Sequence, residues 1–194
     1  ILQDAHWFHV TGITPALSEA AADATIAATT RAKELGMTVS CDLNFRNKLW
    51  RWSVTEDPPT LAERVMRKLL VNVDVLIANE EDASKVLGIS VSDSDVESGR
   101  ISLDGYRKAA EEIAKQFPTL SKIATTLRAS FSASHNNWGA MLFDTERRDA
   151  YFAPMRSGNY RPYEIKAIVD RVGGGASFAA ALIYALTTPE LSAP

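Results

Sequence analysis

Three consecutive glycines, Gly173, Gly174 and Gly175, stand in "DRVGGGASFAAALIYAL" (170–186) directly before a run that is apolar almost to its end. Glycine takes sharp turns and positive φ at little steric cost, which suits a point where a strand or loop hands over to a helix. There is also a chemical reason. The first turn of a helix carries free N–H groups and a partial positive charge, and residues without side chains let an anion come up to them. A phosphate fits that description, but a plain turn would use the same residues, so the triplet alone leaves both readings open. Three more polar clusters fall where strands are expected to end: Asp42, Asn44 and Arg46; Asn79 through Asp82; Thr126 and Arg128. Asp, Asn and Gly favour turns and helix caps for local reasons, so each cluster has a structural explanation of its own. The functional explanation rests on all four converging on one sheet edge.

The elements that would bring them there follow from hydrophobic periodicity. "HWFHVTG" (6–12) reads as a strand, a Ser18-capped alanine-rich stretch through Leu35 as a helix stopped by Gly36, and "MTVSCDLN" (37–44) as a second strand. The alternation repeats with a helix over 61–70, a buried strand "VDVLIAN" (73–79) and a short helix over 80–87 ended by Gly88. After a polar, turn-rich stretch at 88–103, Asp104 is expected to cap a helix through Gln116, and "SKIATTL" (121–127) to return to the sheet. "WGAMLFD" (138–144) and "RDAYFAP" (148–154) read as a strand pair, and the glycine motif opens the last helix. This order predicts an α/β domain with a mostly parallel central sheet and helices on both faces, whose ligands bind beyond the carboxyl ends of the strands. There is no internal repeat and no low-complexity segment.

The 194 residues, 46% hydrophobic and 23% charged, suffice for one domain with a substantial core. A net charge of -3 leaves no cationic excess for a nucleic-acid backbone or an anionic membrane surface, so neither is expected as a partner. The single cysteine, Cys41, excludes an internal disulfide framework, and no apolar stretch is long enough to span a bilayer. A cytoplasmic protein is expected, although the chain opens on Ile1 and its targeting stays open.

Five segments together resemble the ribokinase-like (PfkB) carbohydrate kinases, and among them 2-keto-3-deoxygluconate kinases most: "HVTGITPALS" (9–18), "DLNFRNKLW" (42–50), "LIANEEDASKVLG" (76–88), "TTLRASFSASHNNWGAMLFD" (125–144) and "IVDRVGGGASFAAALIYAL" (168–186). They occur in the family's order and span nearly the whole chain. The resemblance implies ATP-dependent phosphorylation of 2-keto-3-deoxygluconate to its 6-phosphate, with ATP and Mg2+ as cofactors and a homo-oligomeric assembly. It implies an anion hole at Gly173, Gly174 and Gly175 around the transferring phosphoryl group. It places the family's N-x-x-E motif on Asn79 through Asp82, with Asp82 acting on magnesium through water. Arg46, with Asn44 beside it, falls where these kinases meet the sugar acid, and a guanidinium suits a carboxylate because it offers parallel donors in a fixed fork. Thr126, Arg128, Ser134, Asn137 and Gly139 fall on the loop that borders the nucleotide.

Besides Asp82, which stands in place of the motif's Glu, the sequence departs from the family in two places. Ala176 stands where the family has its catalytic aspartate, and a methyl group takes no proton from the acceptor hydroxyl; Ala181 stands where glycine is usual. Position 176 could be a deliberate replacement, a natural non-catalytic relative, or an alanine written for an unseen side chain. The family's amino-terminal portion, with early sugar-binding residues and lid strands, and its last segment are expected to be missing, leaving a ribokinase-like core over 1–194. Two alternatives stay open: another sugar kinase, of fructokinase or ribokinase type, and a protein that binds nucleotide or sugar acid without turnover.

Other features have plainer readings. His6 and His9 point to opposite sides of a strand, which argues against a metal site. Cys41 is expected to be a buried small hydrophobe, and Trp50 and Trp52 to pack at a strand-to-helix junction. His135 among Ser130, Ser132 and Ser134 has no G-x-S-x-G elbow to make a hydrolase, and the glycine triplet lacks the G-x-G-x-x-G spacing of a dinucleotide site.

Overall fold

Four short strands run parallel because a helical segment carries the chain back between each pair. β1 (Trp7–Thr11) leads through a short α1 (Ile13–Ala16) and α2 (Glu19–Glu34) to β2 (Thr38–Asp42); α3 (Pro58–Leu70) leads to β3 (Val75–Asn79); α4 (Glu80–Leu87) and α5 (Leu103–Gln116) lead to β4 (Lys122–Ser130). The chain then turns back through β5 (Asn136–Asp144) and β6 (Asp149–Ala153), makes a small hairpin of β7 (Met155–Arg156) and β8 (Asn159–Tyr160), adds β9 (Tyr163–Ile165) and ends in α6 (Gly174–Thr187). The computed structural model describes residues 4–91, 102–132, 134–170 and 172–191; most of the expected turn-rich stretch, 92–101, lies outside the described residues. The sheet order is β1-β2-β3-β4-β5-β6 with β9 also on β5. The first three pairings are parallel and those made by β5 are antiparallel, so the sheet is mixed, with its parallel half at the β1 side.

Local chemistry sets most boundaries. The Ser18 hydroxyl accepts the Ala21 N–H at 3.1 Å and opens α2, and Gly36, at φ +77, follows its end. Asp57 accepts the Thr60 N–H at the start of α3, with Pro58 and Pro59 at positions that need no N–H donor. The helix then lays Leu61, Val65, Met66, Leu69 and Leu70 on the sheet. α5 differs from expectation at its start: Ser102, not Asp104, is the cap, its hydroxyl accepting the Gly105 N–H at 3.1 Å. Asp104 is one residue into the first turn, where its charge meets the helix dipole and pairs with Lys108 at 2.6 Å.

The two faces of the sheet are unequal. Val39, Cys41, Leu76, Ile123, Leu127, Met141 and Phe143 join α2 to α5 in one core. The alternate residues Ile77, Ala124 and Leu142 face the other way and, among the described residues, form a small apolar cluster with Phe178, Ala179 and Leu182 of α6. Helices on both faces are therefore present but lopsided: among the described residues α6 is the one helix on the second face, and Ala179 is its one buried residue. Ala181, where glycine was expected, is exposed and packs against nothing that a methyl group would disturb.

Candidate active site

The chain leaves β2 in a turn that three strands hold. The Gly12 N–H donates to the Asp42 carbonyl at 2.8 Å, and the Leu43 N–H to the Ile77 carbonyl at 2.9 Å. Asp42 Oδ1 accepts the Asn44 N–H at 3.2 Å, and the Asn44 amide reaches Thr11 Oγ1 at 3.4 Å. Asn44 itself has φ +37, a left-handed conformation that asparagine tolerates better than most residues. The Phe45 N–H then donates to Asp82 Oδ1 at 3.0 Å inside the protein. Phe45 and Trp50 are anchored in the core, so the exposed stretch between them carries Arg46 and Lys48 at the sheet edge. A Cβ at Gly12 would overlap the Leu43 carbonyl oxygen. Because that atom is backbone, we expect Gly12→Ala to cost roughly 1–3 kcal/mol by displacing the turn, read as a lower urea midpoint. An unchanged midpoint would mean that the turn can retreat freely.

Two carboxylates lie under this turn, Asp42 at 9% and Asp82 at 3% exposure. Burial pushes Asp82 up to about 6; the Phe45 N–H works against this, the neighbouring Asp42 charge adds to it, and the Asn79 hydrogen bond and Arg46 oppose it. Asp42 is raised by burial as well, against the Asn44 N–H and Arg46. The folded protein therefore holds the Asp82 proton to a higher pH than the unfolded chain does. The native state binds more protons than the unfolded state between the ordinary carboxylate range and pH of about 6, so stability contributed by this group falls as pH rises through that window. In urea titrations Asp82→Asn should show a shallower decline between about pH 4 and pH 6 than the parent; parallel curves would contradict this origin.

The glycines sit at the start of α6. Gly173 is the N-cap residue at φ +81, no side chain caps the helix, and no acidic residue lies in its first turn. Its first N–H groups are thus left to a ligand or solvent. A Cβ built on Gly175 would stand 3.8 Å from Asp42 Oδ2, which places the triplet beside the end of β2. Ala176, the third helical residue, is exposed. This end of α6 fits an anion.

At the next strand end Asn79 caps α4, its Oδ1 accepting the Asp82 N–H at 2.8 Å. Thr126 pairs in register with Asn79 and shares the face beneath α6 with Ala124. Arg128 is next to Trp138, whose ring meets Phe178 of α6 edge-on at 5.6 Å. Ser134 is tied to the approach to the glycines, its carbonyl accepting the Ile168 N–H at 3.1 Å. Asn137 and Gly139 alternate to the opposite face of β5, and a Cβ at Gly139 would overlap the Tyr160 hydroxyl. The structure therefore brings Asn44, Arg46, Asn79, Asp82, Thr126 and Gly173 to Ala176 onto one edge, with Arg128 beside it, and turns Asn137 and Gly139 away from α6.

Gly12 was not among the expected site residues, and Asp42 was expected only as one member of a strand-end cluster with no role of its own, yet both are central to the turn. The signal for Asp42 was its place two residues before Asn44 at a strand end; for Gly12, the close approach of two strand termini leaves no sequence signature beyond the glycine itself. The plainer readings hold elsewhere: burial, then the Asp42 charge, push the Cys41 thiol up and keep it inert, and Trp52 donates to the Pro15 carbonyl at 3.2 Å. Magnesium asks for one or two carboxylates and keeps its waters. No group of three or more His, Cys, Asp or Glu side chains among the described residues could hold an ion by itself. The oxygens of Asp42 and Asp82 that accept no backbone N–H fit contact through water. No helix among the described residues is long and apolar enough to cross a membrane.

No protein-family model matches the chain. It is 30% identical over 194 residues to a curated 2-dehydro-3-deoxygalactonokinase of Haloferax volcanii, covering 98% of this chain and 52% of that protein. The crystal structure of 2-dehydro-3-deoxygluconokinase from Thermotoga maritima matches at 43% identity and a TM-score of 0.78, over 95% of this chain and 49% of that one. A PfkB family carbohydrate kinase from Listeria grayi matches at 28% identity and a TM-score of 0.73, over 95% and 49%. The chain spans about half the length of these relatives.

Proposed function

We propose, for a chain that has the ribokinase-like fold of the PfkB carbohydrate kinases, that it supplies the catalytic edge of an ATP-dependent sugar-acid kinase, acting on 2-keto-3-deoxygluconate to give the 6-phosphate. The observation that carries this reading is the meeting of an uncapped helix start, Gly173 to Ala176, with the turn that holds Arg46. Phosphoryl transfer needs little covalent help and much positioning and charge neutralisation. Arg46 receives the carboxylate end of the acceptor as a charge-assisted pair. The N–H groups at the start of α6 hold negative charge on the transferring phosphoryl group without moving. Thr126 and Arg128 on β4 flank the same edge on the side proposed for the nucleotide, with Ser134 in the turn between β4 and β5 behind them, while Asn137 and Gly139, expected on that loop, lie in β5 on the face away from α6. Magnesium bound with ATP would spread the phosphate charge, and Asp82 would hold it through water, by the oxygen that Phe45 leaves free.

The sugar epimer is assigned as gluconate-type because the relative of that name is the more similar of the two sugar-acid kinases, 43% against 30% identical. Ala176 favours a second reading, a protein that binds nucleotide and sugar acid but turns over slowly or not at all, because its side chain accepts no proton. Calorimetric titration with 2-keto-3-deoxygluconate, its galactonate epimer, fructose and ATP tests both. The sugar acid should bind more tightly than fructose in either case. Fructose binding as well as the acid would move the assignment to a neutral-sugar kinase, and failure of ATP to bind would remove the anion-site reading of the glycines.

A further inference from the structure

The hydrogen bond that crosses from α4 to the turn after β2 gives Asp82 a task apart from any ion. Phe45 is the residue directly before Arg46, and its N–H is satisfied by Asp82 Oδ1 at 3.0 Å in a buried setting. Among the described residues no backbone carbonyl takes that N–H, and the preceding Asn44, at φ +37, is held only by long hydrogen bonds to Asp42 Oδ1 and Thr11 Oγ1, at 3.2 and 3.4 Å. Asp82 in turn is fixed by its own helix start, where Asn79 accepts its N–H at 2.8 Å. A rigid path thus runs from Asn79 at the end of β3, through the first turn of α4 and Asp82, to the residue that precedes Arg46. Among the described residues the one hydrogen bond of Arg46 is long, Nη1 to the Phe45 carbonyl at 3.5 Å, so beside the charges of Asp42 and Asp82 it is the backbone under it that sets its direction.

We infer that Asp82 is a positioning residue that pins the Phe45–Arg46 turn and so aims Arg46 at the acceptor's carboxylate; the aiming rests on the function proposed above, the pinning does not. What the pin needs is an acceptor oxygen at this reach, more than a negative charge. Asparagine preserves that oxygen in place. Glutamate keeps the charge but adds a methylene at a site only 3% exposed, and must push Phe45 or withdraw. A residue acting on a cation through water gives the opposite ranking, since there the charge matters and a longer side chain still reaches.

Limited trypsin digestion of this chain reads the turn without any ligand, because Arg46, Lys48 and Arg51 are cleavage sites on the exposed stretch. Asp82→Asn should be cut there at the parent rate, and Asp82→Glu at least about tenfold faster, with unchanged far-ultraviolet circular dichroism. If Asp82→Glu does not fold, Asp82→Ala, which removes the acceptor without adding volume, should give the same fast cutting. Binding of 2-keto-3-deoxygluconate by calorimetry should follow the same order, kept in Asn and weakened at least about tenfold in Glu or Ala. Cutting of both Glu and Ala variants at the parent rate overturns the pin, as does fast cutting of Asp82→Asn. A chain that shows the expected cutting order but whose parent binds no sugar acid keeps the pin and loses the functional reading.

Discussion

Ala176→Asp should speed phosphate transfer to the sugar acid by roughly 10²–10⁴, the usual range for general-base assistance, while leaving ATP affinity nearly unchanged. The measurement is a single-turnover rate and an ATP titration on polypeptides of the relatives' full length that carry this chain with alanine or aspartate at position 176. The structure explains why binding and rate should separate. The anion site proposed at the start of α6 consists of backbone N–H groups, so a side chain added at the third helical position removes none of its donors. The position is exposed, so an aspartate meets no packing obstacle. It would also give α6 the acidic first-turn residue that it lacks, worth roughly 0.3–1 kcal/mol from the helix dipole. That gain is an internal control. A small rise in thermal midpoint with no change in rate would show that aspartate is accepted there and that another group is the base. A rate gain accompanied by lost ATP affinity would mean that the carboxylate repels the phosphates, and that the donors at Gly173 to Gly175 are not where the nucleotide sits.

The legible parts of the fold were those in which one residue does one local job. Ser18 and Gly36 bound α2, and Gly88, in the left-handed region at φ +69, ends α4, because a hydroxyl cap and a left-handed residue act within a few positions of themselves. Asp104 was misjudged as a cap by two residues because Ser102 and Asp104 are both good acceptors, and only the geometry of the Gly105 N–H decides between them. The hairpin of β7 and β8 and the strand β9 were missed: they are two or three residues long and mostly exposed, so no alternation marks them. The weak cover on the second face was hidden for another reason. "ASFAAALIYAL" has the apolar content of a buried helix, and sequence does not say what lies over each side of it.

The site divides the same way. The strand-end clusters could be placed on one edge because parallel strands put their carboxyl ends together, whatever the side chains are. The partners of Asp82 could not be read, because a hydrogen bond to Phe45, 37 residues away in sequence, depends on how far β3 runs past the end of β2, where Asp42 lies opposite Ile77. The split of the loop residues between faces depends on the β4–β5 register, in which Arg128 lies opposite Trp138 and Leu127 opposite Gly139. A slip of one residue would exchange the two sets.

The second large effect is expected at Arg46. Arg46→Ala should weaken 2-keto-3-deoxygluconate, as KM or as a dissociation constant, by roughly ten- to a hundredfold, and ATP by less than about twofold, since a charge-assisted hydrogen bond is lost on one substrate only. The asymmetry follows from the geometry. Arg46 leaves the turn after β2, whereas the side of the edge proposed for the nucleotide is built from β4 and the start of α6. Truncation also removes little packing, since the residue is exposed and its one hydrogen bond among the described residues is a long one to its own neighbour's carbonyl. It does remove the cation that helps keep Asp42 and Asp82 ionised, so both should hold their protons to higher pH in the variant. The binding comparison is therefore repeated at rising pH until the ratio of parent to variant affinity stops changing, where the difference reports the lost contact. Arg46→Lys separates charge from shape: lysine restores a positive charge but not the paired donors, and should recover only part of the loss if the carboxylate is held by both. Full recovery by lysine would reduce the role of Arg46 to electrostatic attraction. Equal losses for sugar acid and ATP would place the guanidinium between the two substrates and remove the ground for calling this chain's substrate an acid.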